Sequence, residues 1–91
     1  MASELASTLI KKLQEKNLTI AVAESLTGGL IAASLTEIPG ASSVFKGSIT
    51  AYVDEIKNDV LNVKNESITN FTSISEQVAI EMATNVRKIM N

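Results

Sequence analysis

The chain has 91 residues, 45% of them hydrophobic, and a formal charge of −2 from 8 basic and 10 acidic side chains. That length holds one small domain, and the lack of any basic block argues against a nucleic-acid surface. Cysteine and histidine are both absent, which excludes disulfides, thiolate or imidazole metal sites, a cysteine nucleophile and the Ser-His-Asp triad.

Glu4, Lys11, Lys12, Glu15 and Lys16 break any apolar core of a signal peptide. No apolar stretch approaches the roughly 20 residues needed to span a bilayer. No membrane partner is expected, and the cytoplasm is the expected setting. The first predicted element is a helix over Ser3–Lys16, with Ser3 as N-cap and Asn17 as stop. Its apolar stripe is Leu5, Leu9, Leu13 and the adjacent Ile10. Leu18–Ala23 follows as a strand. An apolar run without polar alternation predicts burial on both faces, as in a parallel sheet.

The run ends abruptly at Glu24 and Ser25. Thr27, Gly28 and Gly29 come next, and Leu30–Thr36 begins a new apolar helix. This is the pattern of strand, tight turn and helix. Paired glycines let the backbone pass close to a neighbour or ligand. Amides at the start of the new helix favour a phosphate or oxyanion beside the turn. Pro39–Gly40 breaks this helix, and residues 40–47 read as an ordered loop anchored by Val44 and Phe45.

A second strand is predicted over Ser48–Val53, where Ile49, Ala51 and Val53 alternate with Ser48, Thr50 and Tyr52. Asp54 can cap a short helix over Glu55–Leu61. Asn62–Thr72 reads as polar and turn-like, tethered by Val63, Ile68 and Phe71. The last helix runs from its N-cap Ser75 to about Met90, with Val78, Ala79, Met82, Ala83, Val86 and Ile89 as its core stripe. The predicted class is α/β, with about two strands and four helical segments. A two-stranded sheet is marginal alone, so residues 1–91 are expected to form part of a larger sheet or to pair with another chain. A homo-oligomer, formed by strand exchange, is the expected assembly.

A hydrolase built from these residue types uses serine with lysine or tyrosine, or carboxylates. Ser25, at a strand-end turn before a helix, has the setting of a nucleophile. Ala23 and Thr27 do not complete the G-x-S-x-G elbow, and a serine that only hydrogen-bonds the turn is the alternative. Tyr52 is the only tyrosine, and an amphipathic side chain at a sheet margin is its simplest role. Lys57 falls in the first turn of the short helix if Asp54 is the cap. There the helix dipole opposes its charge and favours a neutral amine able to accept a proton. The alternative is a solvated surface lysine. Glu24 can orient a group, contact a substrate amide or stand as an ordinary strand-end carboxylate. Asp54, Glu55 and Asp59 match no calcium loop, so no metal and no cofactor is expected.

Four segments carry a resemblance: A-E-S-L-T-G-G at Ala23–Gly29, I-P-G-A-S at Ile38–Ser42 with Phe45, A-Y-V-D-E-I-K at Ala51–Lys57, and I-S-E-Q-V-A at Ile74–Ala79. In this order and spacing they closely resemble the C-terminal domain of the CinA (competence/damage-inducible) family. Stand-alone members of that family are nicotinamide-nucleotide amidohydrolases (PncC). The resemblance implies a three-layer α/β/α domain, of which this chain is an N-terminal portion. It also implies hydrolysis of the carboxamide of nicotinamide mononucleotide to nicotinate mononucleotide and ammonia. Ser25 matches the family's nucleophile, and Tyr52 and Lys57 match the pair that assists it. Glu24, Thr27, Gly28 and Gly29 are then the substrate-binding turn, with a small-molecule nucleotide as partner and no metal. Two departures stand out. Asp54 replaces a common asparagine and adds negative charge near Lys57. Family domains also run on past the position of Asn91, so weakened activity is expected of this chain by itself.

Overall fold

The computed structural model describes residues 3–91. Its elements are α1 (Glu4–Lys16), β1 (Ile20–Glu24), α2 (Leu30–Thr36), a 3-10 turn (Ala41–Ser43), β2 (Phe45–Thr50), α3 (Asp54–Asp59), α4 (Asn65–Phe71) and α5 (Glu76–Met90). The strands pair in parallel, with Val22 opposite Ser48, Ala23 opposite Ile49 and Glu24 opposite Thr50. The sheet is covered on both faces, and that is why β1 lacks polar alternation. On one side, Ala6, Ile10, Leu35, Ile38, Ala41 and Val44 form a core against Ile20 and Val22. On the other, Ala51, Leu61, Val63, Val78, Met82 and Val86 pack against Ala21, Ala23 and Ile49. No helix among the described residues is long and apolar enough to cross a membrane.

The helix ends follow their local chemistry. Ser3 Oγ accepts the Ala6 amide at 2.9 Å, and Asn17 closes α1 in the left-handed conformation at φ 55°. Ser75 Oγ accepts the Val78 amide at 3.2 Å to open α5. The buried stripe of α1 is rotated from the expected one. Ala6 and Ile10 are buried, while Leu5 and Leu9 are exposed. On α5, Val78, Met82 and Val86 are buried but Ala79, Ala83 and Ile89 are exposed.

Three elements differ from expectation. β2 begins at Phe45, three residues before the predicted Ser48, because Gly47 lies within the strand. A Cβ there would meet the Met90 side chain at 3.4 Å, so the glycine admits the end of α5 against the sheet. Tyr52 and Val53 fall beyond the strand and are exposed. The segment read as turn-like contains α4, whose start is capped from another element. Glu81 on α5 accepts the Lys64 amide at 3.0 Å and the hydroxyl of buried Ser67. Phe71, an expected tether, is exposed. Finally, α3 starts at Asp54 with Val53 as its N-cap residue, so Asp54 does not cap it.

Candidate functional site

β1 delivers Glu24 and Ser25 to its carboxyl end, where the chain turns through Leu26–Gly29 into α2. Two glycines make that turn, Gly28 at φ 66° and Gly29 at φ 106°. Both values favour a residue without a Cβ. Glu24 is 3% exposed. One carboxylate oxygen accepts the Thr27 hydroxyl at 2.7 Å and the Ile31 amide at 2.8 Å; the other accepts the Ala32 amide at 2.9 Å. Burial, the largest single influence, works to raise its pKa. The amides of Ala32 and Ile31 and the Thr27 hydroxyl together outweigh that and hold it below the ordinary glutamate value.

This arrangement corrects one expectation. The first amides of α2 are filled by the chain's own carboxylate, so the helix start is not an open phosphate site. Glu24 in turn has both oxygens bound to the turn and the helix. The Leu26 and Thr27 amides of the turn have no partner among the described residues.

β2 runs parallel to β1, and the Ala51 amide still bonds the Glu24 carbonyl at 2.8 Å. This brings the next residue, Tyr52, beside Ser25. The Tyr52 carbonyl accepts two side-chain donors: Ser25 Oγ at 3.5 Å and Lys57 Nζ at 3.0 Å. The hydroxyl and the amine therefore lie within two hydrogen-bond lengths of each other. The tyrosine contributes its main chain to this meeting, and its side chain is 68% exposed. Lys57 is 3% exposed, which corrects the solvated-lysine alternative. It lies in the last turn of α3, not the first, so the helix dipole does not oppose its charge. No carboxylate among the described residues pairs with it.

A pocket of about 540 Å³ opens at this point. Glu24, Ser25, Thr27, Tyr52 and Lys57 line it, and Gly28 and Gly29 do not. The rest of its wall comes from Leu26, Ile31, Asp54, residues 73–75 and the Ala79, Met82 and Ala83 face of α5. Reasoning from sequence placed Ala79 and Ala83 in the core. The signal that could have found them is their size, since a helix face that lines an open pocket needs no bulk. Among the described residues no group of three acidic side chains could hold a metal.

The model of the CinA C-terminal domain family matches residues 2–91. The chain belongs to the CinA C-terminal domain family. It is similar to a CinA-like protein of Prochlorococcus marinus (strain AS9601), 49% identical over 84 residues, which are 92% of this chain and 20% of that protein. Another CinA-like protein, from Pseudothermotoga lettingae, is 46% identical over 94% of this chain and 21% of its own length. Among solved structures, a competence/damage inducible protein from Agrobacterium tumefaciens superimposes with a TM-score of 0.91 at 40% identity. The match covers 94% of this chain and 52% of that one. A CinA superfamily protein from Escherichia coli gives 0.92 at 30% identity, over 93% and 49%. The chain thus spans about a fifth of the curated relatives and about half of the solved chains. Over that share its α/β arrangement superimposes on both solved CinA-superfamily structures.

Proposed function

We propose that this CinA-family chain carries the serine and lysine of an amidohydrolase acting on nicotinamide mononucleotide. The observation that supports it is the convergence of Ser25 Oγ and Lys57 Nζ on the Tyr52 carbonyl at the pocket. Burial without a counter-ion is a setting in which lysines act as general bases. In the reacting form the neutral Lys57 amine takes the Ser25 proton as Oγ attacks the carboxamide carbon. The Leu26 and Thr27 amides are available to the developing oxyanion. Lys57 returns the proton to the leaving nitrogen, and ammonia departs from an acyl-enzyme ester. Water, deprotonated by the same amine, then releases nicotinate mononucleotide and restores Ser25.

The test is ammonia release from nicotinamide mononucleotide by the purified chain. Turnover lost in Ser25→Ala supports the proposal; turnover kept in that variant sinks it. The phenol of Tyr52 has no part in the shared contact, so Tyr52→Phe is expected to change the rate little.

One observation favours a second reading, a catalytically silent nucleotide-binding or protein-interaction module. The Ser25 contact, at 3.5 Å, is long for a hydroxyl donor. Binding of the nucleotide without ammonia release, unchanged in Ser25→Ala, would select it. A cytoplasmic setting and self-association through the sheet edges left unpaired among the described residues belong to both readings.

A further inference from the structure

The pocket has a wall that the serine–lysine chemistry does not use. Between α4 and α5 the chain makes a short lip, residues 72–75. Thr72 sits at φ 71° and ψ 159°, a region that essentially only glycine occupies. A β-branched residue there is a genuine outlier, and the lip's own bonds hold it. The Thr72 amide donates to the Ile68 carbonyl at 3.0 Å. Its hydroxyl donates to the Ile74 carbonyl at 3.1 Å, and Ser75 Oγ donates to the Thr72 carbonyl at 2.8 Å. The residue these bonds fix is Ile74. It lines the pocket and is 83% exposed. On the same wall Ala79 and Ala83, one helical turn apart, are exposed to the pocket with only methyl side chains. Ile74, Ala79 and Ala83 make this part of the pocket wall apolar, suited to the face of a ring rather than to a sugar or a phosphate.

We infer that Ile74 is the specificity-determining contact of this pocket, holding the planar ring of an aromatic carboxamide beside Ser25. This rests on the amidohydrolase reading above and extends it to the part of the substrate that does not react. Ile74 touches the ring, and Thr72 is a positioning residue that acts through it. An aliphatic amide gains nothing from the contact.

The experiment uses the full chain carrying Ser25→Ala, so that ligands bind without turnover. Calorimetric titration compares nicotinamide mononucleotide with ribose 5-phosphate, which has no ring. Adding Ile74→Ala is expected to weaken the nucleotide about tenfold, the usual scale for lost apolar contact in a pocket. Ribose 5-phosphate should bind as before, and the melting temperature should not move because the side chain is exposed. Ile74→Leu should restore affinity for the nucleotide. Thr72→Gly removes the tether to the Ile74 carbonyl and relieves the backbone, so it should weaken the nucleotide without lowering the melting temperature. Equal nucleotide affinity with and without Ile74 overturns the inference and leaves the amidohydrolase reading standing, as does equal weakening of both ligands. A Ser25→Ala chain that binds no nucleotide, from a parent that releases no ammonia, overturns both.

Discussion

Lys57→Met should leave a chain at least as stable as its parent and lower ammonia release from nicotinamide mononucleotide by about 10²–10⁴-fold, the usual contribution of a positioned general base. Methionine has nearly the length of lysine and fits a site that is 3% exposed. It brings no charge. Lys57 has no ion pair among the described residues, so its removal strands no buried partner, the event that makes breaking a buried pair so destabilising. One hydrogen bond is lost, from Nζ to the Tyr52 carbonyl, and Ser25 Oγ remains a donor to that same oxygen. The burial of an amine without a counter-ion therefore goes against stability, and the proposed base role accounts for it. Urea midpoints and ammonia rates, measured on the same preparation, separate the outcomes. A lower midpoint with undiminished turnover would make Lys57 a structural residue and remove the base from the proposed reaction. Lys57→Arg sharpens the comparison, because a guanidinium keeps the charge and cannot give up its proton.

What the sequence made legible was chemistry carried by neighbours. Ser3, Asn17 and Ser75 signal helix ends because each cap bonds within a few residues of itself. The β1 turn is equally local, with apolar residues, then Glu24 and Ser25, then two glycines. What stayed hidden depends on contacts between distant segments. α4 has no side-chain cap of its own, and Glu81, 17 residues beyond Lys64, supplies the missing acceptor. The local sequence there is mostly polar, with Val63, Ile68 and Phe71 as its apolar residues. The start of β2 was hidden for a similar reason. Gly47 looks like a loop residue until Met90 is seen packed against it.

The same distinction divides the candidate site. Ser25, Tyr52 and Lys57 could be named, but the means of their meeting could not. A side-chain pattern suggests a phenol between hydroxyl and amine, whereas the parallel register brings a main-chain carbonyl there. Lys57 looked like a surface residue at the start of a helix. Its main chain is tied to the segment after α3, where Leu61 and Val63 enter the core and the Val63 amide donates to the Lys57 carbonyl at 3.0 Å. The placement of α3 one residue earlier than expected also moves Lys57 from the first turn to the last.

Glu24→Gln should lower stability by about 2–4 kcal/mol, the scale of losing charge-assisted hydrogen bonds at a buried helix start. The isostere fits the space but not the donors. The carboxylate meets the Ile31 and Ala32 amides with different oxygens. A glutamine amide must turn its NH₂ toward one of them, so two donors face each other in a site from which water is excluded. The parent should also weaken in acid, and the sign follows from the hydrogen bonds. Glu24 has its folded pKa held below the ordinary value. Its contribution is therefore complete above the unfolded value, about 4.3, and is lost as the pH falls through the lower folded value. Glu81, whose pKa is lowered chiefly by the Ser67 hydroxyl and then by the Lys64 amide, adds to the same acid limb. Urea midpoints across that range should show a shallower acid loss in Glu24→Gln, with only the Glu81 part remaining. A variant with unchanged midpoints and an unchanged acid limb would mean that the carboxylate does not hold the turn. The effect reaches the reaction through one peptide bond. Glu24 ties β1 to α2 across the turn that begins with Ser25, so loosening it frees Oγ from the carbonyl it shares with Lys57. Ammonia release should therefore fall in Glu24→Gln even where the chain is still fully folded.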